Sequence, residues 1–308
     1  MQALEKLSTE LGHPGVDALW IAAKKRKIDV KKQDVREYVA GNGKKQVLGA
    51  PQRATGKTVS EDDNRWMADL VDVTNAPAGK WKYFLVCVNV FDRYMYARPL
   101  KTKGPVEVSH ALQAILRQAR EEDRKIPQVI GSDGGSEFKG AVSSALSQMK
   151  IIQKFKDAGD INSLGLIDRQ IGLLKRKLAE MHVGRQEDSW AANLPSAVNA
   201  LNSTPKPAAL HGAAPKEVRD DPNTTFMLMQ DQARAIQHNE TAAQRKKAQL
   251  LESGTFRPQF ALDKFKRNFQ ATYGDVERVR SVAMGRVTST TGETHPLKQI
   301  KIVQVRQR

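Results

Sequence analysis

Residues 65–100 read RWMADLVDVTNAPAGKWKYFLVCVNVFDRYMYARPL. Three apolar runs stand close together here: WMADLVDV (66–73), WKYFLVCVNVF (81–91) and RYMYARPL (93–100). They are rich in β-branched and aromatic residues. A turn with Gly79 parts the first two, and Asp92–Arg93 parts the last two. Consecutive strands joined by short turns predict an antiparallel meander.

Downstream the period changes. VEVSHALQAILRQAREE (106–122) has a helical pattern, PQVIGSD (127–133) reads as a short strand, and SEFKGAVSSALSQM (136–149) as a helix with Ser136 at its N-cap. IIQKF (151–155) is another short strand. In INSLGLIDRQIGLLKRKLAEM (161–181), Leu164, Ile167, Ile171, Leu174, Leu178 and Met181 step by three and four, one continuous apolar stripe. The order βββαβαβα predicts an α/β fold, a mixed sheet covered by helices.

The flanks differ from this centre. Residues 1–40 read as short helices, with Val16, Leu19, Trp20 and Ile21 in one and Val30, Val35 and Val39 in the next. Residues 41–60 read as a Gly/Pro/Lys linker, and 226–253 as a polar connecting helix. ERVRSVAM (277–284), GRVTSTT (285–291) and KIVQVRQR (301–308), with turns at Gly285 and Gly292, suggest a small β-barrel of about five strands. The expected division is therefore an N-terminal helical domain (1–55), a core (56–225), a helical linker (226–255) and a C-terminal barrel (256–308).

Charge follows the same division. The 308 residues carry 50 Lys+Arg and 34 Asp+Glu, a formal net charge of +16. Residues 1–59 hold 12 basic and 6 acidic groups, and residues 256–308 hold 11 and 4. The excess sits on the two ends, as expected of flanks that grip a polyanion by its phosphates. With 40% hydrophobic residues the chain can bury a core, and no apolar run nears the ~18 residues that span a bilayer. The polar start MQALEKLSTELGH does not read as a secretory signal. One cysteine, Cys87, excludes a disulfide framework and a cysteine-based zinc site, and fits a reducing compartment.

Three acids stand out. Asp69 interrupts the first apolar strand, Asp133 ends a short one, and Asp168 lies beside the apolar stripe of the long helix. A carboxylate within a hydrophobic strand is costly unless paired or bound to metal. Three converging carboxylates suit two Mg²⁺ about 3.5–4 Å apart, the arrangement that serves phosphodiester chemistry without a protein nucleophile. Asp72 is the rival on the first strand, but three residues from Asp69 its side chain faces the opposite way. Cys87, mid-strand, reads as core.

These motifs, taken in order, resemble the retroviral-type integrases and DDE transposases with a ribonuclease H-like core, in particular integrases of LTR retrotransposons and of self-synthesising DNA transposons. RWMADLVDV resembles the strand of the first aspartate, IGSDGGSEFKG (130–140) the second-aspartate motif, and NSLGLIDRQIGLLKRKL (162–178) the segment of the third acid. SWAANLPSAVNALNSTPKPAALHGAAPKEV (189–218), with Asn202 and Pro215, resembles the end of the core. The resemblance implies that Asp69, Asp133 and Asp168 are the catalytic metal ligands for two Mg²⁺ (or Mn²⁺). It implies that Lys175 contacts a DNA end, and that Lys264, Lys266, Arg267, Arg278 and Arg280 of the barrel contact phosphates.

The family usually carries Glu at the third position, where this chain has Asp168, and Asn89 stands where relatives often have Asp. Glu137, the nearest other acid, reads as a helix-start residue that complements the dipole. The family's N-terminal domain often binds zinc through two His and two Cys. Here LGHPGVDALW (11–20) keeps only His13, so a bundle without zinc is expected. The resemblance implies a DNA integrase that processes 3′ ends and joins them to target double-stranded DNA. It implies a homo-multimer, no membrane and a nuclear location, to which the basic run KKRK (24–27) adds. The absence of protease and reverse transcriptase segments fits a DNA transposon or a domesticated copy. The alternatives are a domesticated, inactive nucleic-acid-binding or structural subunit, and a nuclease without strand transfer.

Overall fold

The computed structural model describes residues 1–47, 58–156, 164–182, 189–260 and 271–303. The chain divides into two compact units, residues 54–240 and residues 1–53 with 241–308.

The second of these begins with α1 (Gln2–Glu10), α2 (Val16–Lys25) and α3 (Lys32–Gly41). Their shared core is Leu4, Leu7, Leu19, Ala23, Val30 and Val35. His13 lies in the turn between α1 and α2 with φ at +59°. Within the expected linker a short helix forms, α4 (Gly43–Val47). Its end meets the C-terminal sheet, where the backbone N–H groups of Thr272 and Tyr273 both donate to the Val47 carbonyl. Residues 48–57 of that linker lie outside the described residues.

Residues 54–240 hold the mixed sheet expected from the sequence. Its strands are β1 (Arg65–Asp72), β2 (Tyr83–Asn89), β3 (Met95–Leu100), β4 (Val129–Ser132) and β5 (Ile152–Phe155), in the order β3-β2-β1-β4-β5. The pairings β1–β2 and β2–β3 are antiparallel, and β1–β4 and β4–β5 are parallel. Gly79 and Arg93, at the two turns, take left-handed φ values of +58° and +64°. Asp92 beside it is buried and paired with Arg124, whose Nη1 donates to Oδ2 at 2.6 Å.

The side-chain period of two sorts β1 between two cores. Trp66 and Ala68 join Leu85, Cys87 and Tyr96 under α5 (Pro105–Glu121) and α6 (Ala141–Gln148). Met67 and Val71 join Phe84, Val86 and Val88 under α7 (Gly165–His182) and α8 (Trp190–Ser203). The stripe on α7 is buried at Ile167, Ile171, Leu174 and Leu178, each contributing about 1.5–3 kcal/mol. Cys87 is fully buried, and burial pushes its thiol well above the ordinary range. From α8, Asn202 closes the edge strand β3. Its Oδ1 accepts from the Met95 N–H and its Nδ2 donates to the Met95 carbonyl, both at 2.9 Å.

One expectation fails locally. Ser136 does not cap α6. Residues 136–138 form a 3₁₀ turn, Gly140 takes φ +57°, and α6 starts only at Ala141. The left-handed glycine separates the turn from the helix.

After α9 (Pro207–Leu210) the long α10 runs over Pro222–Ser253. The C-terminal sheet contains β6 (Thr255–Pro258), β7 (Glu277–Ala283), β8 (Arg286–Ser289), β9 (Thr294–Pro296) and β10 (Ile300–Ile302), in the order β10-β6-β7-β8-β9, all antiparallel. This is the small five-stranded unit read from the sequence. Phe256, Val287, Leu297 and Ile300 form its core together with Leu250. Gly285 and Gly292 make its turns at φ +72° and +94°. No helix among the described residues is long and apolar enough to cross a membrane.

Candidate active site

Asp69 sits in β1 between Met67 and Val71, so strand alternation directs it to the face covered by α7. Its Oδ1 accepts from the Leu70 N–H at 2.8 Å. Asp72 faces the other way, is exposed, and is occupied by Thr74, whose N–H and hydroxyl both donate to Oδ1. Asp133 follows the last residue of β4, the strand next to β1. There its Oδ1 accepts from the Gly135 N–H at 3.1 Å, which tightens the loop. Asp168 is exposed on the first turn of α7. A central strand, a neighbouring strand end and a helix start thus each supply one carboxylate.

Their proximity is recorded in the electrostatics of Asp69. Burial pushes its carboxyl up to about 6, and the negative charges of Asp133, Asp168 and Glu137 push in the same direction. Among the described residues no lysine, arginine or histidine forms an ion pair with Asp69, Asp133 or Asp168. Glu137 belongs to this acidic group. Since α6 starts at Ala141, Glu137 does not serve that helix's dipole. Its carboxylate folds back over Gly135, where a Cβ would meet Oε2 at 2.5 Å. Any larger residue there displaces Glu137.

An all-oxygen set of mutually repelling carboxylates, one of them desolvated, matches the donor chemistry that Mg²⁺ or Mn²⁺ prefers. The oxygens are not drawn tight. Among the described residues, the one trio of ligand atoms all within 4.8 Å of one another is Glu277, Glu293 and His295, in the C-terminal sheet. Oxygens bound to one Mg²⁺ at about 2.1 Å lie at most about 4.2 Å apart, so the three carboxylates would have to draw closer, or divide between two ions, to bind metal.

Lys175 is exposed on α7 two turns after Asp168, and its charge is felt at Asp72. Asn89 is buried, and its Nδ2 donates to Asp63 while its Oδ1 accepts from the Phe91 N–H. Arg278 and Arg280 are exposed on β7. Lys264, Lys266 and Arg267 lie outside the described residues.

The whole-chain fold has a solved counterpart. A chain from the simian T-cell lymphotropic virus intasome, solved in complex with the PP2A regulatory subunit B56 gamma, superposes with a TM-score of 0.66 over 99% of this chain and 100% of that chain, at 14% identity. The chain has a retroviral-type integrase fold. Sequence relatives of this integrase-like chain agree. The Pol polyprotein of Radiation murine leukemia virus (strain Kaplan) is 26% identical over 228 residues, covering 71% of this chain and 37% of the polyprotein. The Gag-Pol polyprotein of Woolly monkey sarcoma virus is 31% identical over 157 residues, covering 50% of this chain and 9% of the polyprotein. The transposon-derived protein F54H12.3 of Caenorhabditis elegans is 26% identical over 122 residues, covering 40% and 41% of the two chains. The integrase-like chain thus spans under half the length of each of these relatives. No protein-family model matches it.

Proposed function

We propose that this protein is a DNA integrase of a mobile element, acting by metal-dependent 3′-end processing and strand transfer. The observation that carries the reading is the charge environment of Asp69, which feels Asp133, Asp168 and Glu137 and has no basic partner among the described residues. Asp69, Asp133 and Asp168 would hold two Mg²⁺ or Mn²⁺, which when bound activate the attacking oxygen and stabilise the leaving oxygen of an in-line displacement. The protein's own part is placement. Asp69 lies on β1, Asp133 directly follows β4, the strand paired with β1, and Asp168 lies on the first turn of α7. In processing, water attacks a phosphorus near the element end, one P–O bond forms as another breaks, and a 3′-hydroxyl is freed. In transfer, that hydroxyl attacks a target phosphodiester, again exchanging one bond for one.

Lys175 is the proposed contact to the element end. Arg278 and Arg280, with Lys264, Lys266 and Arg267, are the proposed phosphate contacts of the C-terminal segment. Joining two ends in one event needs two active sites, so the working form is a homo-multimer on double-stranded DNA. A nuclear site of action goes with this proposal, as an inference from DNA as substrate and from the basic run KKRK (24–27). The four-segment division by sequence remains the working assignment of parts.

A strand-transfer assay with element ends and plasmid tests the reading. Wild type should join the ends with Mg²⁺ or Mn²⁺, and Asp133→Asn should abolish joining. Equal inactivity of both, with the protein folded and multimeric, would instead support the non-catalytic DNA-binding reading. One observation favours that second reading: the third acid is a short, exposed Asp168. Asp168→Glu, which restores the missing methylene, should then raise joining only if the site is a working one.

A further inference from the structure

We propose that the C-terminal sheet carries a zinc-class metal site formed by Glu277, Glu293 and His295. The residues come from three places that the antiparallel order brings together. Glu277 opens β7, where it pairs with Phe256 of β6. His295 is the middle residue of β9, opposite Val287 of β8, and its ring stands edge-on to Phe256. Glu293 precedes β9 in the turn at Gly292, which is fixed by the Ser289 N–H donating to the Glu293 carbonyl at 2.8 Å.

The distances are those of ion pairs and also suit a metal site. His295 Nε2 lies 3.4 Å from Glu277 Oε2 and 3.6 Å from Glu293 Oε2. Both exceed the 2.7–2.9 Å of a charge-assisted hydrogen bond. Metal–ligand bonds of about 2.1 Å in a tetrahedron place ligand atoms about 3.4 Å apart, which is the spacing found. All three donor atoms lie within 4.8 Å of one another. A second observation points the same way. Glu277 Oε2 and His295 Nε2 are both shielded from solvent and neither takes part in a hydrogen bond. The two atoms face each other at 3.4 Å as an ion pair without a hydrogen bond, an arrangement that a metal ion between them would satisfy.

One imidazole and two carboxylates suit Zn²⁺, a borderline ion that accepts nitrogen and oxygen. The fourth position would be left to water. The ion would join the start of β7 to the β8–β9 hairpin, pinning a sheet whose strands are only three to seven residues long. The absence of zinc expected from the sequence concerned cysteines and His13, and this site uses none of them.

The test uses the full chain with Asp69, Asp133 and Asp168 all changed to Asn, so that the acidic group of the other unit takes no metal. Zinc bound per chain is measured by equilibrium dialysis with zinc sulfate, and geometry by the visible spectrum of the Co²⁺-loaded protein. One zinc per chain and a tetrahedral cobalt spectrum are expected. Glu277→Gln and His295→Ala should lose both. Glu293 is 69% exposed on its side chain, so Glu293→Gln leaves folding intact. It should weaken zinc by about tenfold or more, since even outer-shell changes cost that much. Zinc uptake that is absent in the folded parent, or unchanged in Glu293→Gln and His295→Ala, would overturn the site and leave His295 as a plain neighbour of two carboxylates.

Discussion

The burial of Asp69 has a thermodynamic signature of its own. Its folded-state pKa is raised from 3.8 to about 6, chiefly by burial. A group raised in this way favours folding fully below its unfolded pKa, and loses that contribution as pH rises through 6. At pH 7–8 the metal-free protein therefore carries the cost of a charged, desolvated carboxylate. Asp69→Asn keeps an oxygen for the Leu70 N–H and removes the charge. It should stabilise the metal-free chain by about 1–3 kcal/mol at pH 7.5, with the gain vanishing near pH 4, as read by urea denaturation. Mg²⁺ in millimolar excess should stabilise wild type and leave the variant unmoved. An Asn variant less stable than wild type at pH 7.5 would mean that Asp69 has an overlooked partner. The reason Asp69 was legible in the sequence is the same cost: a carboxylate inside an apolar strand is conspicuous. Glu137 was not, because its place depends on a 3₁₀ turn and on the φ of Gly140, neither of which periodicity records.

At the scale of elements, the sheet is held by how helices meet its strands. Asn202 reaches from α8 to satisfy both backbone groups of Met95 on the edge strand β3. Unpaired backbone on an edge invites association with other chains. Asn202→Ala strands a buried donor and a buried acceptor, and should cost about 2–4 kcal/mol. A loss below about 0.5 kcal/mol in the same denaturation experiment would show that water replaces the amide. The meander β1–β2–β3 and the stripe of α7 were readable because each is a long run with one period. Asn202 could be placed only by resemblance, since nothing local marks an asparagine that serves a strand 107 positions away. The Glu277–Glu293–His295 trio was missed for a related reason. Its members are scattered over short strands, and only the two-residue step from Glu293 to His295, which puts both on one side of a strand, hinted at it.

For the whole molecule, charge is the legible property. The basic excess on both ends is a count that needs no fold, and it leads to an expectation about salt. If the flanks make six to ten phosphate contacts, DNA affinity should fall by about 10³–10⁵ between 50 and 200 mM salt. Arg278→Ala/Arg280→Ala should reduce the slope of log K against log salt by about two, without changing sequence preference. Fluorescence anisotropy with random and element-end duplexes measures both. A flat salt response would remove the polyanion argument. The lone thiol bears on how such work can be done. Cys87 is buried in the middle of β2, under α5. A labelling reagent applied to the native protein should leave it untouched. A single cysteine engineered at an exposed site, such as Met284, would then be the one reactive handle, so dyes or crosslinkers could be attached without first rebuilding the core.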